Sequence, residues 1–521
     1  MLYIKPFVKW FLVGLIIISV ASGIAARTSV SNLDSANFLS FMDRHTLLSP
    51  LSSDYARHHN GLIDLISSKP SEVCAVINSA NKYTLNFIQI HAYIFPSLMS
   101  LSGWILPLPT NWIAGLWIAG SLVGGLLALL IFLNKLKIPL VAIVSVLATL
   151  ILYPVLTNAF LGQIYIDLLL FGPACGSLLL IWWMKYRSRT VWPWVLLLLV
   201  VLATISERGA YLAGLIGFVY SILLFGTNVI RLREMRIVTI AGFLSWVWMV
   251  VWTKYINSNV SLQQQSIRGS IARFETLLDQ PTRPLFIIFL MTSVVLLILS
   301  AFSGRGFYIA LCAMMPNLLV TTGGAELTGF YTHYHQTYLA VLVSTAIIGF
   351  VRIASWIKVS NSVLRNGLIT ALGVLLLVVS LFNWTHFGQR ASFAQIRTES
   401  KLVILPIYLN DYTWTVARSK QLTELTNYLE TLDPKIISGG EDIMPALFLA
   451  GFKDVEYWPI GVGVVDIVVA PTVDGVPVVY QFGDVWGNGE ALQACTQSTL
   501  EREYQLVRQF DFLNVYKKLD N

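Results

Sequence analysis

Acidic and histidine residues with the potential for chemistry gather in one polar segment near the start of the chain. Asp34 lies about eight residues after the first apolar stretch, in the sequence SNLDSANF. A carboxylate held just above a membrane can accept a proton from a hydroxyl group during group transfer, or bind a divalent cation. A helix N-cap or a solvated loop acid is the alternative interpretation. The same segment, Arg27–Asn111, carries four of the seven histidines, including His91.

Charged residues also interrupt two apolar stretches further along the chain. Asp167 lies in GQIYIDLLL, and an acid inside a membrane is costly unless it is paired or functional. A favourable charge at a helix N-terminus is the other interpretation of Asp167. The tetrapeptide Ser206-Glu207-Arg208-Gly209 interrupts the apolar run 191–226, which predicts a helical hairpin that turns there on the outer side. Adjacent residues on a helix do not face each other, so we expect Glu207 and Arg208 to have different partners, and arginine can bind a phosphate through two parallel hydrogen bonds.

The densest polar cluster at the entrance to an apolar stretch is the segment Gly323–Tyr338. It contains His333, Tyr334 and His335, which we expect to contact a substrate. The two histidines would point the same way only in an extended chain, so their spacing is weak support for a metal site. A divalent cation such as Mg²⁺ or Mn²⁺ stays an open alternative.

Composition identifies the broad class. Apolar residues make up 56% of the chain, charged residues only 12%, and the mean hydropathy is +0.68. These values predict a membrane protein with many spans. The net charge of +7 does not suggest nucleic acid, because the basic residues are dispersed at the ends of the apolar stretches.

The spacing of apolar and basic residues predicts the topology. A span needs about 20 apolar residues, and short cytoplasmic loops collect Lys and Arg. An N-terminus in the cytoplasm and an extracytoplasmic C-terminus place the basic clusters inside, and all seven histidines outside. The predicted spans, about eleven in number, are 8–26, 112–133, 138–157, 161–184, 191–205, 209–226, 237–256, 284–302, 306–323, 335–355 and 366–384.

Phe87–Pro107 is apolar enough for a twelfth span, but counting it would reverse every later loop against the positive-inside rule. It also contains His91 and two prolines, which suit an interfacial helix better. We therefore predict a helix that lies on the outer leaflet.

Hydropathy falls after the last span and predicts a small extracytoplasmic α/β domain over 385–521, behind a transmembrane domain over 1–384. Within it we predict a helix over 420–432 and strands over 435–438, 465–470, 476–482 and 513–517. Cys74, in the first outer loop (27–111), and Cys495 would share a compartment. A disulfide between them is one alternative, and two free thiols are the other.

Several segments occur in a recognisable order: LYPVLTNAFLGQIYIDLLLFGP, TISERGAYLAGLIGF, PNLLVTTGGAELTGFYTHYHQTYLAVLV, and LDPKIISGGEDIMPALFLAGFKDVEYWP followed by VDIVVAP. Together they resemble a family of uncharacterised bacterial polytopic membrane proteins that is related to the GT-C membrane glycosyltransferases. HAYIFPSLMSLSGWILPLP is similar to the interfacial helix of protein O-mannosyltransferases and aminoarabinose transferases. The likeness covers most of the chain in pattern, with short and degenerate motifs.

The resemblance implies a GT-C-like fold in the bacterial inner membrane, where a first-loop acid is the catalytic base and a polyprenyl phosphate carries the sugar. By position, Asp34 would be the base, Asp167 the second catalytic acid, and Arg208 a donor-phosphate contact, with His91, Glu207, His333, Tyr334 and His335 around the substrate. The chain departs from the family in two ways. Its first loop has no adjacent acidic pair, and Glu207-Arg208 stands where these enzymes often have Lys-Gly.

We therefore expect a glycosyltransferase that moves a sugar from a polyprenyl phosphate to an envelope acceptor on the outer face. The membrane lipid and the lipid-linked sugar would be its partners. One alternative is an inactive GT-C-derived scaffold that binds envelope partners. Another is a transporter of a lipid-linked substrate, which would place polar residues along several spans.

Overall fold

The structure is a computed structural model. It describes residues 6–27, 39, 74, 77, 94–153, 156, 166–252, 282–318, 334–386, 404–440, 443–452, 454–459, 461–479 and 489–519.

Long apolar helices occupy the described residues up to 386, and a mixed sheet with helices follows them. The helices of the first part, leaving aside the single turn Asn228–Arg231, are α1 (Pro6–Arg27), α2 (Ile94–Ile105), α3 (Thr110–Lys135), α4 (Leu140–Ile151), α5 (Ile166–Tyr186), α6 (Arg189–Ile205), α7 (Glu207–Phe225), α8 (Arg233–Val251), α9 (Thr282–Phe302), α10 (Arg305–Leu318), α11 (Tyr334–Trp356) and α12 (Ser362–His386). The first turn of α5 is a 3₁₀ turn, Ile166–Leu170, and α7 contains a π-helical turn, Leu215–Tyr220.

The predicted spans coincide with helices of the structure. Each one overlaps α1 or one of α3 to α12. One boundary differs, because α4 ends at Ile151, earlier than predicted. The predicted start of the next span at 161 lies outside the described residues, and α5 is described from Ile166. Among the described residues, six helices are long and apolar enough to cross a membrane, namely α3, α5, α7, α8, α11 and α12. A mostly helical membrane fold is thus confirmed, and the number of eleven spans stays a prediction.

Local sequence explains where several helices begin and end. Pro109 and Pro139 stand immediately before α3 and α4, where a fixed φ and a missing N–H cost nothing. Gly226 ends α7 with a φ of 58°, a left-handed conformation that favours glycine. Such stops keep the connections between neighbouring helices short.

Small residues let some helices touch backbone to backbone. A Cβ added to Gly349 of α11 would lie 1.7 Å from the carbonyl oxygen of Leu299 in α9. Close approach of this kind is how helices associate in lipid, where apolar burial gives no advantage. The buried side chains of the helices form one continuous core, in which Phe171, Tyr338 and Phe350 are among the largest.

The sheet lies in the last part of the chain. Its elements are α13 (Ile404–Leu432), β1 (Ile437–Gly439), α14 (Met444–Leu449), β2 (Val455–Tyr457), β3 (Ile467–Val473), β4 (Val476–Pro477), α15 (Gly489–Glu503), β5 (Tyr504–Phe510) and β6 (Leu513–Lys518). The strand order is β2-β1-β3-β6-β5. β1 pairs in parallel with β2 and β3, and β6 pairs antiparallel with β3 and β5. β4 forms a hairpin with β3 through Asp474 and Gly475, both at positive φ as tight hairpin turns require.

This sheet and its helices have a hydrophobic core of their own, separate from that of the long helices. The predicted helix over 420–432 is the second half of α13, and the strands predicted near 437, 467 and 515 are β1, β3 and β6. The strand predicted over 476–482 was too long, because β4 ends at Pro477. α14, α15, β2 and β5 were not predicted. The proposed boundary between domains at 384 stays a proposal.

Candidate functional site

A buried ion pair joins two of the predicted site residues. Asp167 lies in the 3₁₀ turn that opens α5 and has a side chain only 1% exposed, whereas the side chain of Arg208, in the first turn of α7, is 29% exposed. Nη1 of Arg208 donates a hydrogen bond to Oδ2 of Asp167. A carboxylate this deeply buried is stable only when it is paired and hydrogen-bonded.

Ser206 completes the surroundings of Asp167. It has an extended backbone between α6 and α7, and its hydroxyl accepts a hydrogen bond from the backbone N–H of Gly209, 3.2 Å away. Such a serine caps the N-terminus of a helix. The same hydroxyl donates to Oδ1 of Asp167 at 3.5 Å. The helix break predicted at 206–209 is confirmed, and it brings Ser206 and Arg208 to one carboxylate.

Ser121 of α3 holds the turn that carries Asp167. Its hydroxyl donates to the carbonyl oxygen of Leu169 at 2.9 Å and accepts from the backbone N–H of Gly172 at 3.0 Å. A Cβ on Gly172 would lie 2.7 Å from the carbonyl oxygen of Ser121, so glycine is needed for this approach. α3 therefore fixes the position of the 3₁₀ turn, and with it the position of Asp167.

The two segments that carry the ion pair also line an apolar cavity of about 400 Å³. Leu169 follows Asp167 by two residues, and Ile205 precedes Arg208 by three. Gly120 of α3 and Phe95 of α2 line the same cavity. A cation three residues from the cavity lining along the chain, together with a space suited to an apolar chain, matches a ligand with a charged head and an apolar tail.

α2 covers one side of this cavity. The rings of Phe95 and Trp117 meet edge to face at a centroid distance of 5.5 Å, and the indole N–H of Trp117 donates to Ser102 Oγ at 3.1 Å. On its outer side, Trp104 and Ile105 are 73% and 81% exposed. Large exposed apolar side chains on one helix fit the predicted interfacial position at the surface of a bilayer.

The other predicted site residues are placed as follows. Glu207 is half-buried in the first turn of α7, where an acid suits the positive end of the helix. Tyr334 and His335 are the first residues of α11. Asp34, His91 and His333 lie outside the described residues, so the predicted convergence of these three with the ion pair, and the predicted separation of Asp34 and Asp167 of at most about 12 Å, stay predictions.

A metal centre has no support from the part of the chain that the structure describes. No three His, Cys, Asp or Glu residues cluster there as a metal site would require. The acids of the first loop, which would be the natural oxygen ligands for Mg²⁺ or Mn²⁺, fall outside that part.

Ser121 and Ser206 were missed from the sequence. Ser206 carried a signal, because serine directly before Glu-Arg-Gly at a break between apolar runs is a typical N-cap. Ser121 carried a weaker one, because serine in an apolar span often hydrogen-bonds to a neighbouring helix without indicating which.

Comparison with solved structures finds several similar chains. No protein-family model matches the chain, and no curated protein matches it either. The chain is similar to ArnT from Cupriavidus metallidurans, solved bound to undecaprenyl phosphate, with a TM-score of 0.46, 10% identity and 98% of each chain covered. It is also similar to a mutant of the arabinofuranosyltransferase AftD from Mycobacteria, with a TM-score of 0.40, 12% identity, 97% of this chain covered and 41% of AftD.

Both solved proteins are GT-C glycosyltransferases, the class that the sequence motifs resemble. Because both TM-scores lie below 0.5, we base the functional proposal on the residues of this chain.

Proposed function

We propose that this chain is a multi-pass membrane glycosyltransferase that takes a sugar from a polyprenyl-phosphate donor and transfers it to an envelope acceptor on the extracytoplasmic face of the bacterial inner membrane. One observation carries the proposal: the two segments that carry the Asp167–Arg208 pair also line an apolar cavity, through Leu169 and Ile205. A lipid-linked phosphate needs both a cation for its head and an apolar wall for its chain.

Arg208 is the proposed contact to the donor phosphate. Its guanidinium group is always charged and matches the geometry of phosphate oxygens. The contact to the buried Asp167 fixes the orientation of the guanidinium, while its exposed fraction of 29% leaves part of it within reach of a ligand. Asp167, only 1% exposed, is better suited to hold Arg208 than to exchange a proton with a substrate.

In the proposed reaction the hydroxyl oxygen of the acceptor forms a bond to the anomeric carbon of the donor sugar. The bond from that carbon to the phosphate oxygen breaks, and Asp34 takes the hydroxyl proton as general base. The phosphate leaves as a monoester with one more negative charge than the diester had. Arg208 stabilises this developing charge, which is the usual way a fixed cation lowers such a barrier.

The cavity would hold only the part of the lipid chain nearest the phosphate. Its volume of about 400 Å³ lies in the range of about 300–1,000 Å³ that is typical of small-molecule pockets. A long polyprenyl chain exceeds such a volume, so most of the chain would remain in the bilayer.

Two glycines of α3 offer a matched test. Gly120 lines the cavity, whereas Gly124, one turn later, is exposed and does not line it, and an added Cβ meets nothing within 4 Å at either position. Gly120→Leu should fill the cavity and weaken binding of undecaprenyl phosphate to the purified protein at least tenfold, whereas Gly124→Leu should bind like the wild type. Equal binding by both variants would remove the cavity from the proposal.

A scaffold without transferase activity is the second candidate, because a buried Asp–Arg pair also occurs in purely structural roles. A transfer assay with purified protein in liposomes and a polyprenyl-phosphate-linked sugar separates the two candidates. Lipid binding that depends on Gly120, without any sugar transfer to envelope extract, would favour the scaffold.

A further inference from the structure

A disulfide joins two distant parts of the chain. It connects Cys74, in the first polar segment, to Cys495 in α15, across 421 positions of sequence and a Cα–Cα distance of 5.5 Å. Whether these cysteines pair was left open by the sequence, and the structure brings them together. The first segment is thereby bonded covalently to the part of the chain that contains the sheet.

Noncovalent packing supports the same attachment. Ile77 is fully buried and belongs to the hydrophobic core of the sheet, together with residues such as Leu492 and Val465. Its carbonyl oxygen accepts a hydrogen bond from the backbone N–H of Gly463, 3.1 Å away. Cys74 and Ile77 both have helical backbone. Ile77 is thus a component of the core of the sheet, in addition to the covalent attachment at Cys74.

We propose that the Cys74–Cys495 disulfide is a redox-sensitive latch that holds the first polar segment on the sheet. Cys74 is exposed, so a reductant in solution can reach the bond, and exposed disulfides are typically the labile ones. Opening the latch consumes two electrons and two protons from a dithiol, which becomes a disulfide itself. Closing the latch passes two electrons and two protons to another disulfide, which is reduced to a dithiol. Bonds of this kind persist in oxidising compartments.

Three variants test the latch on the full-length protein: Cys74→Ala, Cys495→Ala and the double variant. The control is Cys312→Ala, which removes an exposed cysteine outside the disulfide. Each of the three should lower the thermal unfolding midpoint by about 5 °C or more. The three shifts should be equal, because each variant loses the same single disulfide. Dithiothreitol should lower the wild type equally and leave the double variant unchanged.

A tryptic digest without reductant reads the bond directly. Trypsin cuts after Arg57 and Lys82, but not after Lys69, which precedes proline, and it cuts after Lys453 and Arg502. Mass spectrometry should find these two peptides linked. If they are unlinked, or if the midpoint is unchanged in all three cysteine variants, the latch is overturned.

Ile77→Ala separates packing from the bond. With the disulfide intact, it should lower the midpoint and leave the linked peptides in place. Failure of the proposed function would look different. The midpoint shift and the linked peptides would still be found, but neither the wild type nor any variant would transfer sugar.

Discussion

Asp167 shows how much a single buried charge depends on its partners. Its carboxylate, only 1% exposed, accepts hydrogen bonds from Arg208 on one oxygen and from Ser206 on the other. Removing one member of a buried ion pair typically destabilises a protein by about 3–5 kcal/mol, because the remaining charge is left without compensation. Replacing both members is often much less costly.

A double-mutant cycle on this pair is the first prediction. Asp167→Asn and Arg208→Gln should each lower the unfolding midpoint, and the double variant should be more stable than the sum of the two losses implies. We expect a coupling of at least about 1 kcal/mol from the measured unfolding free energies. Strictly additive losses would mean that the two side chains do not interact in the folded protein.

Asp34 carries the second prediction. If it takes the proton of the acceptor, Asp34→Asn should reduce sugar transfer roughly 10²–10⁴-fold, because an amide cannot act as a general base. Undecaprenyl phosphate binding and the thermal midpoint should stay at the wild-type values, since the substitution is nearly isosteric. Turnover within a few-fold of the wild type would assign Asp34 the role of a cap or a solvated acid.

The turn between α6 and α7 depends on a glycine. A Cβ on Gly209 of α7 would lie 2.1 Å from the carbonyl oxygen of Leu202 in α6. Only a movement of the two helices away from each other would relieve this clash. Because Ser206 and Arg208 lie in the same turn, such a movement would also disturb the contacts to Asp167. The hairpin and the site therefore depend on the same position.

The third prediction follows from this geometry. Gly209→Ala should lower the thermal midpoint and weaken undecaprenyl phosphate binding, even though alanine usually favours a helix by up to about 1 kcal/mol. Gly367→Ala is the control, because Gly367 is an exposed glycine of α12 with nothing within 4 Å of an added Cβ, and the midpoint there should stay or rise. A stable Gly209→Ala variant that binds normally would contradict the proposed dependence.

Sequence patterns predicted the long helices well and the sheet only in part, for reasons that differ by element. A run of about 20 apolar residues is a strong signal by itself. β5 gave none, since its ladder with β6 has a register irregularity between Leu506 and Arg508 that interrupts the alternation of side chains. β2 has only three residues, and α15 is a polar helix with little apolar periodicity. Short or irregular elements are specified mainly by their tertiary neighbours.

The same distinction holds for the site. Asp167 and Arg208 were each identified from a charge at the start of an apolar stretch, but their pairing across 41 positions depends on how α5 and α7 pack. The cavity could not be predicted, because it is formed by side chains from α2, α3, α5 and α6 that have no common sequence pattern.

The topology of the whole chain is the fourth prediction. Reporter fusions after Lys137, Arg189, Arg236 and Arg365 should indicate the cytoplasm, because basic residues collect in cytoplasmic loops. Fusions after Asn60 and Asn521 should indicate the outside, as the disulfide between the first segment and α15 also requires. An external Lys137 would make Phe87–Pro107 a span and would move the proposed site away from the outer face.

The 421 positions between Cys74 and Cys495 also set an order of events during biosynthesis. At about 5–20 residues per second, the ribosome needs roughly 20 to 80 s to reach Cys495 after it has made Cys74. If Cys74 lies on the outer face, as the topology prediction has it, its thiol waits there without its partner while the chain between the two cysteines is still being made. The free thiol can form a wrong disulfide with another exported protein during this time. The cell must therefore either shield Cys74 or exchange the wrong disulfide for the correct one once Cys495 has been made.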